Sequence, residues 1–181
     1  LEGCMRGDRK AQELLYDRFA PRMYGVCRSY ADDDLEAQDL LQEGFIKVFQ
    51  KISECSKEKS LEGWIRKVIV NNNIDLYRKK KQKKRIEEVR TDQDLHMDDV
   101  PIRNEGEEEL NFQDLLAILR ELPQGYRTVL NLYIVEGYDH KAIAESLGTS
   151  VSNSKSQYLR AKKYLQQKFG RRTLDRYFAA G

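Results

Sequence analysis

Apolar residues recur every three or four positions along most of the chain, which is the spacing of amphipathic helices. Four apolar stripes precede Pro123. They consist of Leu14, Leu15, Phe19, Met23 and Val26; Leu40, Leu41, Phe45, Val48, Phe49 and Ile52; Leu61, Trp64, Ile65, Val68, Ile69 and Leu76; and Leu115, Leu116, Leu119 and Leu122. Residues 53–60 form a polar loop without a strand signal, and another helix begins around Val129 and ends near Gly137. The pattern predicts an all-α fold.

Polar segments divide these stripes into two groups. The run Asp32-Asp-Asp34 interrupts the first two stripes and can cap the helix that follows it. Residues 86–111 are acidic, aperiodic and poor in large apolar groups, so they cannot bury enough surface to offset the entropy of ordering. We therefore predict two small helical domains, residues 1–85 and 112–181, joined by an acidic flexible linker at 86–111.

The second domain contains the most specific pattern. Ile143, Ala144 and Leu147 lie on one face of a short helix, and Gly148 follows where a left-handed residue ends a helix at little cost. Ser150 can cap a longer basic helix beyond it. This is the spacing of a helix-turn-helix, whose second helix fits the DNA major groove. The alternative is an ordinary helical hairpin with a glycine cap.

Charge is distributed in opposing blocks. The chain of 181 residues has a net charge of only +2, although 34% of its residues are charged. A basic run at residues 78–85 is followed by acidic residues between 92 and 109, and each block keeps a strong local field although the two cancel in the sum. The basic run therefore suits phosphate contacts, although a solvated helix end is its commoner meaning.

Composition argues against a membrane protein and against an enzyme. No apolar run is long enough to span a bilayer, and the first residues do not have the charged-then-apolar pattern expected of a leader. Three separated cysteines suggest free thiols in a reducing, cytoplasmic setting. We find no glycine-rich phosphate loop, metal-ligand spacing or nucleophile with a base, so no metal, cofactor or small-molecule substrate is expected. His96 and His140 lie in the linker and at a helix start, where simple solvation is an alternative to a catalytic role.

The order of these pieces resembles a bacterial extracytoplasmic-function (ECF) sigma factor, an alternative promoter-specificity subunit of RNA polymerase. The resemblance covers nearly the whole chain except the linker. The amino-acid sequences of the motifs are similar to those of members from the Bacteroidetes lineage. The segments that carry it are LYDRFAPRMY at 15–24, DLLQEGFIKVF at 39–49, WIRKVIVNNNIDLYR at 64–78, LPQGYRTV at 122–129, GYDHKAIA at 137–144 and KSQ at 155–157.

For the first domain, the resemblance implies binding to core polymerase and opening of the −10 promoter element. Asp39, Gln42, Glu43 and Phe45 fall in the segment that binds the clamp of the largest subunit. Phe45 is expected as an exposed aromatic anchor unless it belongs to the core. Residues matching the −10 DNA-binding segments are Lys57, Lys59, Lys67, Asn71, Arg78, Lys79 and Lys80. Lys67 and Asn71 are four apart and share a helix face, while the lysines of the 53–60 loop match a segment that receives a flipped base.

For the second domain, the resemblance implies reading of the −35 element and docking on the other large subunit. Lys155 can bond a guanine edge, Ser156 lies beside it, and Leu159 could touch a thymine methyl unless it is core. Tyr158 is expected to pack inward. The residues expected to hold phosphates are Arg127, Arg160, Lys162 and Lys163. Thr149 and Ser154 are polar where helix-turn-helix proteins often bury an aliphatic side chain.

The resemblance also implies promoter DNA and an anti-sigma factor as partners. One competing function is a helix-turn-helix regulator that binds duplex operator DNA without being a polymerase subunit. An enzyme is the other alternative, and the missing catalytic patterns argue against it. The sigma-factor hypothesis differs from both because it requires core polymerase.

Overall fold

The computed structural model describes residues 1–55, 60–87 and 112–169. Its helices are α1 (Glu2–Met5), α2 (Arg9–Tyr30), α3 (Asp34–Gln50), α4 (Leu61–Glu87), α5 (Phe112–Glu121), α6 (Gln124–Ile134), α7 (His140–Leu147) and α8 (Val151–Phe169), with a 3₁₀ turn at Ile52–Glu54. The described residues contain no strand, and the predicted all-α fold is confirmed.

The chain separates into two compact units, Leu1–Lys79 and Lys80–Gly181. We call them the N-terminal unit and the C-terminal unit. Helix α4 continues to Glu87, two residues into the segment predicted as linker. The rest of that segment, together with Lys57 and Lys59, lies outside the described residues, so the linker and the proposed domain limits remain predictions.

Capping residues start the helices of the N-terminal unit. Asp8 accepts from the backbone N–H of Lys10 at 2.9 Å and begins α2. Asp33 accepts from the N–H of Glu36 at 2.7 Å and begins α3, so the predicted capping by the aspartate run is confirmed. These carboxylates satisfy N–H groups that have no partner within their own helix.

The core of the N-terminal unit forms where α2, α3 and α4 pack together. Most of the predicted stripes are buried there, but Leu14 is 71% exposed, against expectation. Its neighbour Leu15 occupies the inward position instead, because two adjacent residues lie about 100° apart on a helix. Gly44 allows α3 and α4 to approach closely, since a Cβ at this position would lie 2.8 Å from Ile69 Cγ1.

The C-terminal unit packs around α6. Its central apolar cluster is formed by Ile118, Leu119, Leu122, Tyr126, Leu130, Ala161, Tyr164 and Leu165. Pro123 separates α5 from α6, as expected. The Tyr164 hydroxyl donates to Glu121 Oε2 at 2.6 Å, and Lys168 Nζ lies 2.8 Å from the same oxygen. Those hydrogen bonds, from Lys168 first and Tyr164 second, lower the pKa of Glu121.

Candidate nucleic-acid interface

The turn between α7 and α8 has the predicted helix-turn-helix chemistry. Asp139 Oδ1 accepts from the N–H of Ala142 at 2.7 Å and starts α7. Gly148 ends it in the left-handed region, with φ 60° and ψ 45°. Ser150 Oγ then accepts from the N–H of Asn153 at 3.1 Å, which confirms its predicted role as the cap of α8. These contacts fix the direction in which α8 leaves the turn.

One side of α8 is exposed from Val151 to Lys163. Exposed side chains on this helix are Val151, Ser152, Lys155, Ser156, Leu159, Arg160 and Lys163. Leu159 is 63% exposed, so the alternative that it packs in the core is wrong. Val151 is 40% exposed and lies one turn before Lys155. Val151 was not among the predicted contacts, although its spacing of four from Lys155 places it on the same side of the helix.

The positive charge of α8 favours binding to a polyanion. The helix has no aspartate or glutamate, and its basic residues are Lys155, Arg160, Lys162, Lys163 and Lys168. Lys163 is exposed and Lys162 is half-buried. Arg160 is exposed, although its Nη1 also donates to the Tyr126 hydroxyl at 3.1 Å. Lys168 is half-buried and pairs with Glu121, but exposed cations such as Lys155, Arg160 and Lys163 can contact phosphates on either side of a groove.

Arg127 does not belong to this face. It was expected to hold a phosphate, but its side chain is 0% exposed. Arg127 lies on α6, where every residue from Tyr126 to Leu132 is buried. A central helix that is covered on all sides hides a basic side chain that an ordinary surface helix would expose. The prediction for Arg127 is therefore wrong.

A polar pair lies beneath the exposed face of α8. Ser154 is fully buried, and its hydroxyl lies 3.0 Å from Nδ1 of His140 at the start of α7. The His140 ring stacks on Tyr133 of α6, with ring centroids 4.6 Å apart and planes tilted by 16°. His140 is thus partly buried rather than solvated. Desolvation lowers the pKa of His140 most, the Lys155 charge lowers it further, and Asp139 opposes both.

Tyr158 completes the aromatic group around His140. Its ring centroid lies 5.6 Å from that of His140 and 4.6 Å from that of Tyr133. Tyr158 also packs against the central apolar cluster, which confirms that it faces inward.

In the N-terminal unit, α4 presents a second polar face. Lys67 and Asn71 are both exposed and four residues apart, so the predicted shared face is confirmed. Arg78 and Lys79 are also exposed, as is Lys80, the first residue of the C-terminal unit. Asp75 lies between the two groups and pairs with Lys47 of α3, at 3.4 Å. A row of exposed lysine, amide and arginine side chains can bind phosphates and base edges.

The residues after Asn71 turn inward. Asn72 is 1% exposed, and its amide has no hydrogen-bond partner in the described part of the chain. Asn73 is 4% exposed and lies beside the Cys27 thiol. Burial raises the pKa of Cys27 to about 12, an effect that the contact with Asn73 only partly offsets. Cys27 therefore remains a protonated thiol at neutral pH.

Helix α3 carries the third predicted surface. Asp39, Gln42 and Glu43 are exposed together. Phe45 is only 2% exposed, so the expectation of an exposed aromatic anchor is wrong. Its ring packs against Tyr16 at 4.7 Å and Phe49 at 6.0 Å between centroids, as a member of the apolar stripe.

Two aliphatic residues take the outward apolar positions instead. Ile46 is 56% exposed and Leu35 is 69% exposed. Leu35 lies four residues before Asp39, while Ile46 lies four residues after Gln42. The five side chains therefore share one face of the helix. Neither residue was among the predicted contacts, although their spacing from Asp39 and Gln42 indicates the shared face.

No group of three or more potential metal ligands occurs within residues 1–55, 60–87 and 112–169. A search of the same residues finds no helix that is both long and apolar enough to cross a membrane.

Comparison with protein families decides between the possible functions. Residues 15–83 match the model of sigma-70 region 2, and residues 112–165 match that of sigma-70 region 4. Together the two matches cover more than half of the chain. The chain belongs to the sigma-70 family. It is of the ECF type, and it is an alternative sigma factor that directs transcription initiation.

Several relatives match across nearly the whole chain. The RNA polymerase sigma factor SigZ of Bacillus subtilis is 29% identical over 160 residues, covering 86% of this chain and 85% of the relative. The ECF RNA polymerase sigma-E factor of Haemophilus influenzae is 25% identical over 178 residues, covering 93% and 92%. The sigma factor RpoE of Bartonella quintana, solved in complex with the anti-sigma factor NepR, has the same fold, with a TM-score of 0.50, 20% identity, and coverage of 87% and 95%.

Proposed function

We propose that this sigma factor binds core RNA polymerase through the outward face of α3, grips the −10 element with α4 and reads the −35 element with α8. Its role is binding rather than catalysis, and it acts in the cytoplasm. It contacts both large polymerase subunits, the largest through the N-terminal unit and the other through the C-terminal unit. The amino-acid sequences of its motifs support an origin in the Bacteroidetes lineage.

The composition of the α3 face carries the polymerase-binding part of the proposal. Asp39, Gln42 and Glu43 provide carboxylate and amide groups for charge-assisted bonds to a basic partner helix. Ile46 and Leu35 provide the apolar area that most interfaces need at their centre. Ile46 replaces Phe45 as the anchor, because Phe45 has almost no surface to offer.

For promoter opening, Lys67 and Asn71 are proposed to hold the single non-template strand. An exposed amide can donate to and accept from a base edge, and the lysine suits a phosphate. Arg78, Lys79 and Lys80 extend this face with charge that strengthens binding at low salt. Lys57 and Lys59 remain proposed −10 contacts on the basis of the family resemblance alone.

For the −35 element, Lys155 and Ser156 are proposed to read base edges, while Leu159 and Val151 meet apolar groups such as a thymine methyl. Arg160, Lys162 and Lys163 hold the flanking phosphates. Arg127 has no place in this set because it is buried.

We also propose an anti-sigma factor as a partner. The support is that the Bartonella quintana sigma factor with the same fold was solved in complex with one. An anti-sigma factor that covers the exposed face of α3 would prevent polymerase binding without altering the helical core.

A titration with core polymerase tests the proposal. Fluorescently labelled full chain is titrated with core enzyme, and the variant Ile46→Ala is compared with Leu14→Ala. Both replaced residues are exposed aliphatics, but Leu14 lies on α2 outside the proposed face. We expect Ile46→Ala to cost about 2 kcal/mol of binding, the size of an interface hot spot, and Leu14→Ala to have no effect. Equal affinities for all three proteins would contradict the proposed anchor.

A further inference from the structure

The most unusual feature near α8 is a fully buried serine on the inner side of a DNA-facing helix. Ser154 is 0% exposed. A hydroxyl removed from water without a partner costs free energy, so most buried serine hydroxyls are hydrogen-bonded to another group. His140 Nδ1 fills that role at 3.0 Å. This bond joins the first turn of α7 to the first turn of α8.

The histidine ring is itself held from three helices. It belongs to α7, stacks on Tyr133 of α6 with 4.6 Å between centroids, and meets the edge of Tyr158 of α8 at 5.6 Å. Because flat rings packed on two sides leave little room for rotation, the position of Nδ1 is well defined. His140 can therefore hold α8 in a defined position relative to α6 and α7.

Geometry connects this bond to base reading. Ser154 immediately precedes Lys155, and adjacent residues on a helix point about 100° apart. While Ser154 is held inward by His140, Lys155 and Ser156 must point outward, where both are exposed. Recognition groups keep their geometry only when the residues behind them are locked by packing and hydrogen bonds. Without the bond, α8 is freer to rotate about its axis.

We infer that His140 is a positioning residue for promoter recognition, which sets the rotation of α8 through its bond to Ser154. This inference rests on the proposed −35-reading role of α8. The charged groups that face His140 are Lys155 on α8 and Asp139 before α7, and the phenols of Tyr133 and Tyr158 face it from α6 and α8. Lys155 thus belongs both to the surroundings of His140 and to the reading face.

Two substitutions of His140 separate hydrogen bonding from packing. His140→Phe keeps a ring between the two tyrosines and removes the bond to Ser154. His140→Asn removes the ring but places an amide close to the position of Nδ1, where it can bond the serine hydroxyl. Ser154→Ala removes the same bond from the other side, with little change in volume. Circular dichroism of each full-length variant verifies that it is folded.

The measurement is base preference in the holoenzyme. Core polymerase with each variant is incubated with promoter duplexes randomised over the −35 element, and the bound fraction is sequenced. We expect His140→Phe and Ser154→Ala to weaken preference about tenfold, the order of one lost base contact, at the base pairs that Lys155→Ala also affects. His140→Asn should retain most of the preference.

The results separate failure of the positioning role of His140 from failure of the proposed −35-reading role of α8. Unchanged preference in both His140→Phe and Ser154→Ala, with altered preference in Lys155→Ala, would overturn the positioning role alone. Equal loss in His140→Asn and His140→Phe would also overturn it, because ring packing rather than the bond would then be responsible. If Lys155→Ala itself leaves the preference unchanged, the reading role of α8 fails, and the inference fails with it.

Discussion

The two helices proposed to contact DNA, α4 and α8, both bury a polar residue directly beside an exposed one. On α4, exposed Asn71 is followed by Asn72, which is 1% exposed. On α8, exposed Lys155 is preceded by Ser154, which is 0% exposed. Ser154 bonds to His140, whereas the Asn72 amide has no partner within the described residues.

This difference indicates two ways of orienting a recognition helix. A paired buried hydroxyl favours one rotation of α8, because other rotations break the bond. The Asn72 amide has no such bond within the described residues, so the orientation of α4 depends on apolar packing, on the contact of Asn73 with Cys27, and on ion pairs such as Arg22 with Glu62, at 2.7 Å. That pair is largely exposed and contributes little. We therefore expect apolar packing to dominate the stability of the N-terminal unit.

The largest predicted effect tests that expectation at Phe45. Replacing Phe45 by Ala should lower the free energy of unfolding of the N-terminal unit by about 3–5 kcal/mol, the usual range for a buried phenylalanine. The chain has one tryptophan, Trp64 on α4, so urea unfolding followed by its fluorescence reports on this unit. Ile46→Ala is the matched control, since an exposed neighbour should change stability by no more than about 0.5 kcal/mol.

A loss below about 1 kcal/mol for Phe45→Ala would show that apolar packing around α3 does not hold this unit. The pair of variants also separates folding from binding. Ile46→Ala should unfold like the wild type and bind core polymerase weakly. The main defect of Phe45→Ala should instead be a lower free energy of unfolding.

The next effect in size concerns the reading face of α8. Lys155→Ala should lower discrimination at one or two base pairs of the −35 element by about 1–3 kcal/mol. Lys163→Ala should instead weaken binding to all sequences similarly and reduce the salt dependence by about one ion. Holoenzyme binding to matched and scrambled promoter duplexes, measured at several salt concentrations, distinguishes the two. Uniform weakening by Lys155→Ala would mean that the lysine contacts a phosphate.

Helical periodicity predicted the fold well and the outward faces only in part. The caps at Asp33 and Ser150 and the left-handed Gly148 follow from local chemistry, so the sequence was sufficient for them. Phe45 fitted both a core stripe and a polar surface, and only the packing with Tyr16 decides between them. Arg127 was misplaced for a related reason, because burial of a whole helix depends on neighbours that are distant in sequence.

The contact between His140 and Ser154 could not be foreseen either. The two residues are 14 positions apart and lie on different helices, so no single-helix pattern relates them. Ser154 was noticeable only as a polar residue where an aliphatic one is common. Its partner depends on how α7 and α8 cross, which is a property of the three-dimensional packing.

A smaller effect is predicted for the two neighbouring asparagines of α4. Leucine is close to asparagine in shape, and Asn72→Leu removes an unpaired buried amide, so it should raise the stability of the N-terminal unit by about 1 kcal/mol. Trp64 fluorescence in urea measures this. Destabilisation of more than about 1 kcal/mol would indicate that the amide makes a needed contact.

Asn71→Ala is the functional counterpart, because Asn71 is exposed. Stability and polymerase binding should stay near wild type, while fewer open complexes form, as reported by permanganate reactivity of unpaired thymines. A premelted template should restore much of the signal. Wild-type reactivity at limiting holoenzyme would remove Asn71 from the −10 contacts.

The smallest effect comes from pH and distinguishes the two buried sites chemically. The amide of Asn72 does not titrate, but the partner of Ser154 does. The pKa of His140 in the folded chain is lowered from 6.5, first by desolvation and then by Lys155. Between that lowered value and about pH 6.5, the unfolded chain binds more protons at this residue than the folded chain does. The stability contributed by neutral His140 is therefore present above about pH 6.5 and is lost as the pH falls through this window.

Proton NMR of the imidazole groups tests this directly, because the chain has only two histidines. His140→Phe assigns the resonances by removing one of them. We expect the His140 signal to titrate below pH 6.5, and Lys155→Ala to move its pKa upward because a nearby positive charge is removed. Titration of His140 at or above 6.5 in the wild type would contradict a desolvated ring beneath α8. An unchanged value in Lys155→Ala would mean that Lys155 lies too far away to couple base reading to the His140–Ser154 pair.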